Sequence, residues 1–137
     1  MKTLIVEDDA TSRLLLHTIL REWGECHVAS DGKQALTAFL AAQQAKQPYQ
    51  LICLDIMMPE IDGKEVLGTI RGLETASGRV PEVWTKIVMT TALGDPATIG
   101  SAFNGLCDSY LVKPIDKPRL LACLRQLNLI DFAVSPC

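Results

Sequence analysis

Leu51-Ile52-Cys53-Leu54 is apolar at consecutive positions and is followed at once by Asp55. An unbroken apolar run of this kind is what a central parallel strand, covered by helices on both faces, requires. The same arrangement recurs along the chain. Leu4-Ile5-Val6 runs into Glu7-Asp8, Ile87-Val88-Met89 leads to Thr91, and Tyr110-Leu111-Val112 leads to Lys113-Pro114. Sites in open α/β sheets are built at the carboxyl ends of parallel strands, so the repetition proposes three acids, a hydroxyl and an ammonium in one crevice.

Between these runs the apolar spacing becomes helical. Leu15, Ile19 and Trp23 recur every four residues with Leu16 and Leu20 alongside, predicting an amphipathic helix that ends near Gly24. Cys26 to Ala29 read as a short second strand, and Ser30-Asp31 offer capping oxygens to a helix carrying Ala35, Leu36, Phe39 and Leu40. Pro59 and Asp62-Gly63 form a loop, after which Val66, Leu67 and Ile70 mark a third helix whose pattern fades at Thr75, leaving 75–83 as loop. A strand over 85–90, a weaker helix over 96–104, a strand over 109–112 and a last helix marked by Leu120, Leu121, Leu124 and Leu127 complete the chain. Regular alternation with short connections predicts a parallel α/β sheet with right-handed crossovers.

A chain of 137 residues, 48% hydrophobic and 21% charged, suits one globular domain. That domain is expected over 1–129, with 130–137 as a short tail and no output domain. Thirteen basic and sixteen acidic side chains give a net charge of −3 without a basic run, which argues against direct nucleic-acid binding. No apolar stretch reaches the ~20 residues of a membrane span and no signal-peptide pattern opens the chain, so a cytoplasmic protein is expected. The five cysteines are scattered without zinc or redox spacing, and Cys53 and Cys123 read as small buried hydrophobes. His17 and His27 stand outside any metal-ligand motif, and Trp23 and Trp84 read as packing residues.

Glu7, Asp8 and Asp55 brought together would raise one another's pKa unless a cation neutralised them. Oxygen-only ligands favour a hard ion such as Mg²⁺, which keeps open positions for phosphoryl oxygens. Lys113 supplies a point charge for a phosphoryl group and the Thr91 hydroxyl can donate to it. Asp55 is then the candidate nucleophile, able to accept a phosphoryl group as an acyl phosphate.

With these residues in place, the chain resembles the response-regulator receiver domains of two-component signalling over nearly its whole length. The resemblance rests on Ile5-Val6-Glu7-Asp8-Asp9, on Leu54-Asp55-Ile56-Met57-Met58-Pro59-Glu60-Ile61-Asp62-Gly63, on Met89-Thr90-Thr91-Ala92-Leu93 and on Tyr110-Leu111-Val112-Lys113-Pro114, in that order. It implies a flavodoxin-like, doubly wound (βα)5 fold with five parallel strands in the order 2-1-3-4-5 and helices on both faces. By the same resemblance Asp55 is the phosphoacceptor. Glu7, Asp8, Asp55 and the Met57 main-chain carbonyl hold Mg²⁺ or Mn²⁺, Thr91 and Lys113 contact the phosphoryl group, and Lys113-Pro114 is a cis-peptide candidate. Tyr110 is implied as a switch aromatic coupled to Thr91, although a half-buried strand tyrosine would look the same. The implied donor is a sensor histidine kinase or histidine phosphotransfer protein. The implied output is contact with a downstream protein, or a homodimer, through the fourth helix, fifth strand and fifth helix. Met57 and Leu93, each two residues beyond a site residue, are expected to slow acyl-phosphate hydrolysis.

Three other readings compete. A dehalogenase-like phosphatase would place a second acid where Met57 stands. A flavodoxin-like cofactor binder would need a phosphate loop where Glu7-Asp8-Asp9 would repel it, with no glycine-rich cradle. A receiver-shaped interaction module that is never phosphorylated keeps every group and differs only in use.

Overall fold

The computed structural model describes residues 1–56, 63–91 and 106–130. The strands are β1 (Thr3–Val6), β2 (Cys26–Ala29), β3 (Leu51–Asp55), β4 (Lys86–Thr91) and β5 (Ser109–Val112). They form one sheet in the order β2-β1-β3-β4-β5, and every neighbouring pair is parallel. The doubly wound order implied by the motifs is the order observed. The expected helix over 96–104, which is one part of the implied dimer face, lies outside the described residues.

Strand side chains divide by parity between two buried clusters, as the pleat requires. Leu4, Val6, Ile52, Leu54, Ile87 and Met89 join one cluster with residues of α2 (Gly32–Gln44) and α3 (Gly63–Ser77). Ile5, Leu51, Cys53 and Val88 join the other, with residues of α1 (Ala10–Leu20) and α4 (Lys117–Gln126). Two covered faces explain why the strands read as continuous apolar runs.

Three of the helices start on an aspartate. Asp9, Asp31 and Asp116 accept from the backbone N–H of Ser12, Gln34 and Arg119 at 2.9, 2.8 and 2.9 Å, using donors that the first helical turn leaves without partners. In α1 the buried stripe is Leu16, Ile19 and Leu20, and Trp23 packs against the same cluster; of the expected apolar positions Leu15 departs, at 41% exposure on the edge of the stripe. Residues 21–23 form a 3-10 turn rather than a continuation of α1.

The largest departure concerns the expected loop over 75–83. Helix α3 continues to Ser77, and Pro81–Val83 is a 3-10 turn. The last fully buried apolar residue is Ile70, with Leu73 half-buried against the same cluster, and the buried face is carried on by Arg71 and Glu74, which hydrophobic periodicity does not register. Thr75 and Ser77 hydroxyls donate back to the carbonyls of Arg71 and Glu74, and Gly78, at φ +80°, then turns the chain out of the helix. Among the described residues, no helix is long and apolar enough to cross a membrane.

Candidate functional site at the carboxyl edge of the sheet

Parallel register brings the ends of four strands together. Val6 is level with Leu54, Asp55 with Thr90, and Thr91 with Val112. The ladder continues one residue past β5, where Lys113 N–H donates to the Thr91 carbonyl at 2.7 Å. Glu7, Asp55, Thr91 and Lys113 are thus delivered to one edge by strand pairing alone.

Glu7, Asp8 and Asp55 each present a carboxylate oxygen within 4.8 Å of the others. Glu7 and Asp55 are buried, at 0% and 3% exposure, whereas Asp8 is exposed, so the cluster opens to solvent on the Asp8 side. Lys113 Nζ lies 2.8 Å from Glu7 Oε2 and 3.5 Å from Asp55 Oδ2. Burial opposes charge on this lysine, but its contact with Glu7 and the charges of Asp55 and Glu7 outweigh that and raise its pKa. Among the described residues, one ammonium, in contact with Glu7 and Asp55, stands beside a cluster of three carboxylates. That surplus negative charge, together with a buried Glu7 Oε2 whose lysine contact lacks hydrogen-bond direction, suits a hard divalent cation held by oxygen alone. The Met57 carbonyl and Leu93 lie outside the described residues.

Thr91 is 2% exposed at the end of β4. Tyr110 is half-buried, level with Met89 in the ladder and packed against the α2–α3 cluster. The Lys113–Pro114 peptide bond is cis.

Several residues that shape the site carried no functional expectation from sequence. Arg13 Nη1 donates to the carbonyls of Glu7 at 2.9 Å and Asp8 at 3.4 Å, clasping the acidic turn from the first helix. Asp9 N–H donates to Glu7 Oε1 at 3.2 Å, and the Asp9 carboxyl, capping α1 through the Ser12 backbone, has its pKa lowered by that bond. Arg119 donates to the carbonyls of Val112 and Pro114, at 2.9 and 3.0 Å, and so braces the backbone on both sides of Lys113. Gly63 opens α3 against the acceptor strand: a Cβ there would meet the Asp55 carbonyl oxygen at 2.4 Å and Ile56 Cα at 2.8 Å. Of these, only Asp9 followed by Ser12 left a sequence signal, as a helix start.

The far end of the molecule holds the buried polar groups Arg71, Glu74 and Thr85, and Cys53 and Cys123 pack as buried hydrophobes. His27 bonds Tyr49 Oη at 2.6 Å and Glu25 at 3.0 Å.

Comparison with known proteins agrees with this geometry. The family model described as the response regulator receiver domain matches residues 3–125. The transcriptional regulatory protein TcrA of Mycobacterium tuberculosis is 33% identical over 93% of this chain but only 46% of its own length. The probable transcriptional regulator ycf27 of Cyanophora paradoxa is 37% identical over 92% of the chain and 47% of its own length. The chain therefore spans about half the length of these curated relatives. Among solved structures, the response regulator TrrA of Thermotoga maritima, in complex with Mg²⁺ and BeF, is 31% identical with a TM-score of 0.73 over 92% of this chain and 97% of that one. The chemotaxis protein CheY4 of Vibrio cholerae is 27% identical with a TM-score of 0.74 over 91% and 96%. Sequence motifs, strand order and these likenesses agree, and the chain belongs to the response regulator receiver domain family of two-component signalling.

Proposed function

We propose that this domain accepts a phosphoryl group on Asp55 from a phosphohistidine donor, on a sensor kinase or a phosphotransfer protein, and then changes its protein contacts. The observation that carries the reading is the convergence of Glu7, Asp8, Asp55 and Lys113 at one edge of the sheet, with a cluster of three carboxylates beside, among the described residues, a single ammonium. In the reaction an Asp55 oxygen forms a bond to phosphorus while the donor's bond to phosphorus breaks, and the donor leaves with the electron pair. Mg²⁺, when bound, offsets charge between the incoming phosphoryl oxygens and the acids. Glu7 and Asp8, with Asp55 and the Met57 carbonyl, would hold it. Lys113 neutralises equatorial oxygens, and Thr91 donates its hydroxyl to one of them once the group is in place. Tyr110, in the same ladder as Thr91, carries the change towards β5, the last strand in the sheet order.

The domain is assigned 1–129, and its output is assigned to protein contacts. The half-length match to transcriptional regulators favours a second reading, in which such a domain controls an attached DNA-binding unit. Intact-mass analysis after incubation with acetyl phosphate and Mg²⁺ tests the central step. A single phosphoryl adduct in the parent, labile to hydroxylamine and lacking in Asp55→Asn, is the expected result. No adduct, together with no binding of beryllofluoride, would replace the reading with a non-phosphorylated interaction module.

A further inference from the structure

Helix α3 connects the site to a buried ionic cluster at its other end. At its start, Gly63 N–H donates to the Ile56 carbonyl at 3.0 Å and its Cα lies against the Asp55 backbone. About two turns on, Arg71 is 9% exposed and Glu74 is fully buried. Arg71 donates through Nε to the Leu106 carbonyl at 2.7 Å, through Nη1 to Glu74 at 2.6 Å and the Thr85 carbonyl at 2.9 Å, and through Nη2 to Asp108 at 2.9 Å. Glu74 also accepts from Thr85 N–H at 2.7 Å, and Asp108 from Ile87 N–H at 2.8 Å. Asp108 N–H in turn donates to the Ile87 carbonyl at 2.9 Å.

The cluster touches a specific half of the molecule. Its partners are the root of β4, at Thr85 and Ile87, and the turn Leu106–Asp108 that enters β5. Those strands end in Thr91 and Lys113. Among the described residues, its hydrogen bonds stop short of β1 and β3, which end in Glu7 and Asp55; towards β3 they extend only to the Tyr49 carbonyl, two residues before that strand begins, which accepts from the Thr85 hydroxyl at 2.6 Å. A buried guanidinium holding two strand roots defines where their far ends emerge, because short strands transmit displacement as rigid rods.

We propose that Arg71 is a positioning residue for phosphoryl transfer: through Asp108 and Leu106 it aligns β4 and β5 so that Thr91 and Lys113 reach the phosphoryl group, while the carboxylates on β1 and β3 that would hold Mg²⁺ stay in place. This rests on the phosphoacceptor reading of Asp55. The two halves of the site therefore respond differently to its loss, whereas a purely structural role would weaken both together or neither.

The test compares the parent with Arg71→Lys and Asp108→Asn, each first checked for cooperative thermal unfolding. Mg²⁺ affinity is measured by calorimetry, and phosphorylation by acetyl phosphate is resolved into maximal rate and half-saturating concentration. Misplacement of reacting groups by about 1 Å from a remote change costs on the order of 10- to 100-fold in rate. The expected result is a fall in maximal rate within that range for Arg71→Lys and a smaller fall for Asp108→Asn, with Mg²⁺ affinity within about twofold of the parent. Unchanged rates in folded variants, or parallel losses of rate and Mg²⁺ affinity, would overturn the proposal. Should Arg71→Lys not fold, the isosteric Asp108→Asn decides alone. Absence of phosphorylation in the parent would instead overturn the underlying reading of Asp55.

Discussion

Lys113 Nζ lies 2.8 Å from Glu7 Oε2, closer than its 3.5 Å approach to Asp55. The buried glutamate is thus the lysine's first partner, and the acceptor aspartate its second.

Replacing Lys113 with Met leaves Glu7, fully buried, without its cation. Breaking a fully buried pair costs about 3–5 kcal/mol; since the lysine side chain is partly exposed, a smaller loss of about 1–3 kcal/mol is expected. Because the folded-state pKa of Lys113 is raised above its ordinary 10.5, its contribution is complete below that pH and is lost as pH rises through the folded value. Urea unfolding on either side of 10.5 checks this: the alkaline loss should be smaller in Lys113→Met than in the parent.

Gly63→Ala forces a Cβ to within 2.4 Å of the Asp55 carbonyl, a backbone contact that cannot rotate away. A destabilisation of about 1–3 kcal/mol is expected, with slower phosphorylation because the acceptor backbone must shift. Gly68 and Gly72 on the same helix are exposed and have nothing within 4 Å of an added Cβ. Alanine at either should stabilise by about 0.5–1 kcal/mol through helix propensity. Denaturant midpoints of the three variants should therefore move in opposite directions; a stabilised Gly63→Ala would show that the close approach is not maintained in solution.

Arg71→Ala leaves Glu74 buried without its cation and should cost about 3–5 kcal/mol. Lys117→Ala removes an ion pair with Glu22 at 3.6 Å whose side chains are about half exposed, and should change stability by less than about 1 kcal/mol. Thermal melts at matched ionic strength compare the two.

Burial pushes the Cys53 thiol up to about 12, and only 1% of the residue is exposed. At neutral pH it should resist a maleimide in the folded protein and react only on unfolding, while the half-buried Cys26 and Cys107 react earlier. Peptide mapping over a labelling time course reads the order, and early labelling of Cys53 would contradict the packed sheet face.

What could be read in the chain was whatever chemistry is local in sequence. Leu51–Leu54, Leu4–Val6 and Ile87–Met89 declared parallel strands because a strand covered on both faces must be apolar at every position. The polar residue ending each run declared the site, because parallel strands finish at the same edge and strand pairing then brings Glu7, Asp55, Thr91 and Lys113 together. The helix start at Asp31 could be read too, because it lies within one turn of its partner Gln34.

The end of α3 was misread for the opposite reason. Its buried face passes from Ile70 to Arg71 and Glu74, and a charged residue shows itself as interior only when distant partners are assembled around it. The same holds for Arg13 over the acidic turn, for Gly63 against the Asp55 backbone and for the preference of Lys113 for Glu7. By itself the sequence determined the sheet, its two apolar faces and the residues meeting at one edge, since periodicity and strand-end polarity act over a few residues. Tertiary structure alone decided which oxygen the ammonium approaches, which backbone admits only glycine and where a guanidinium can be buried. Each of those depends on distances between segments far apart in the chain.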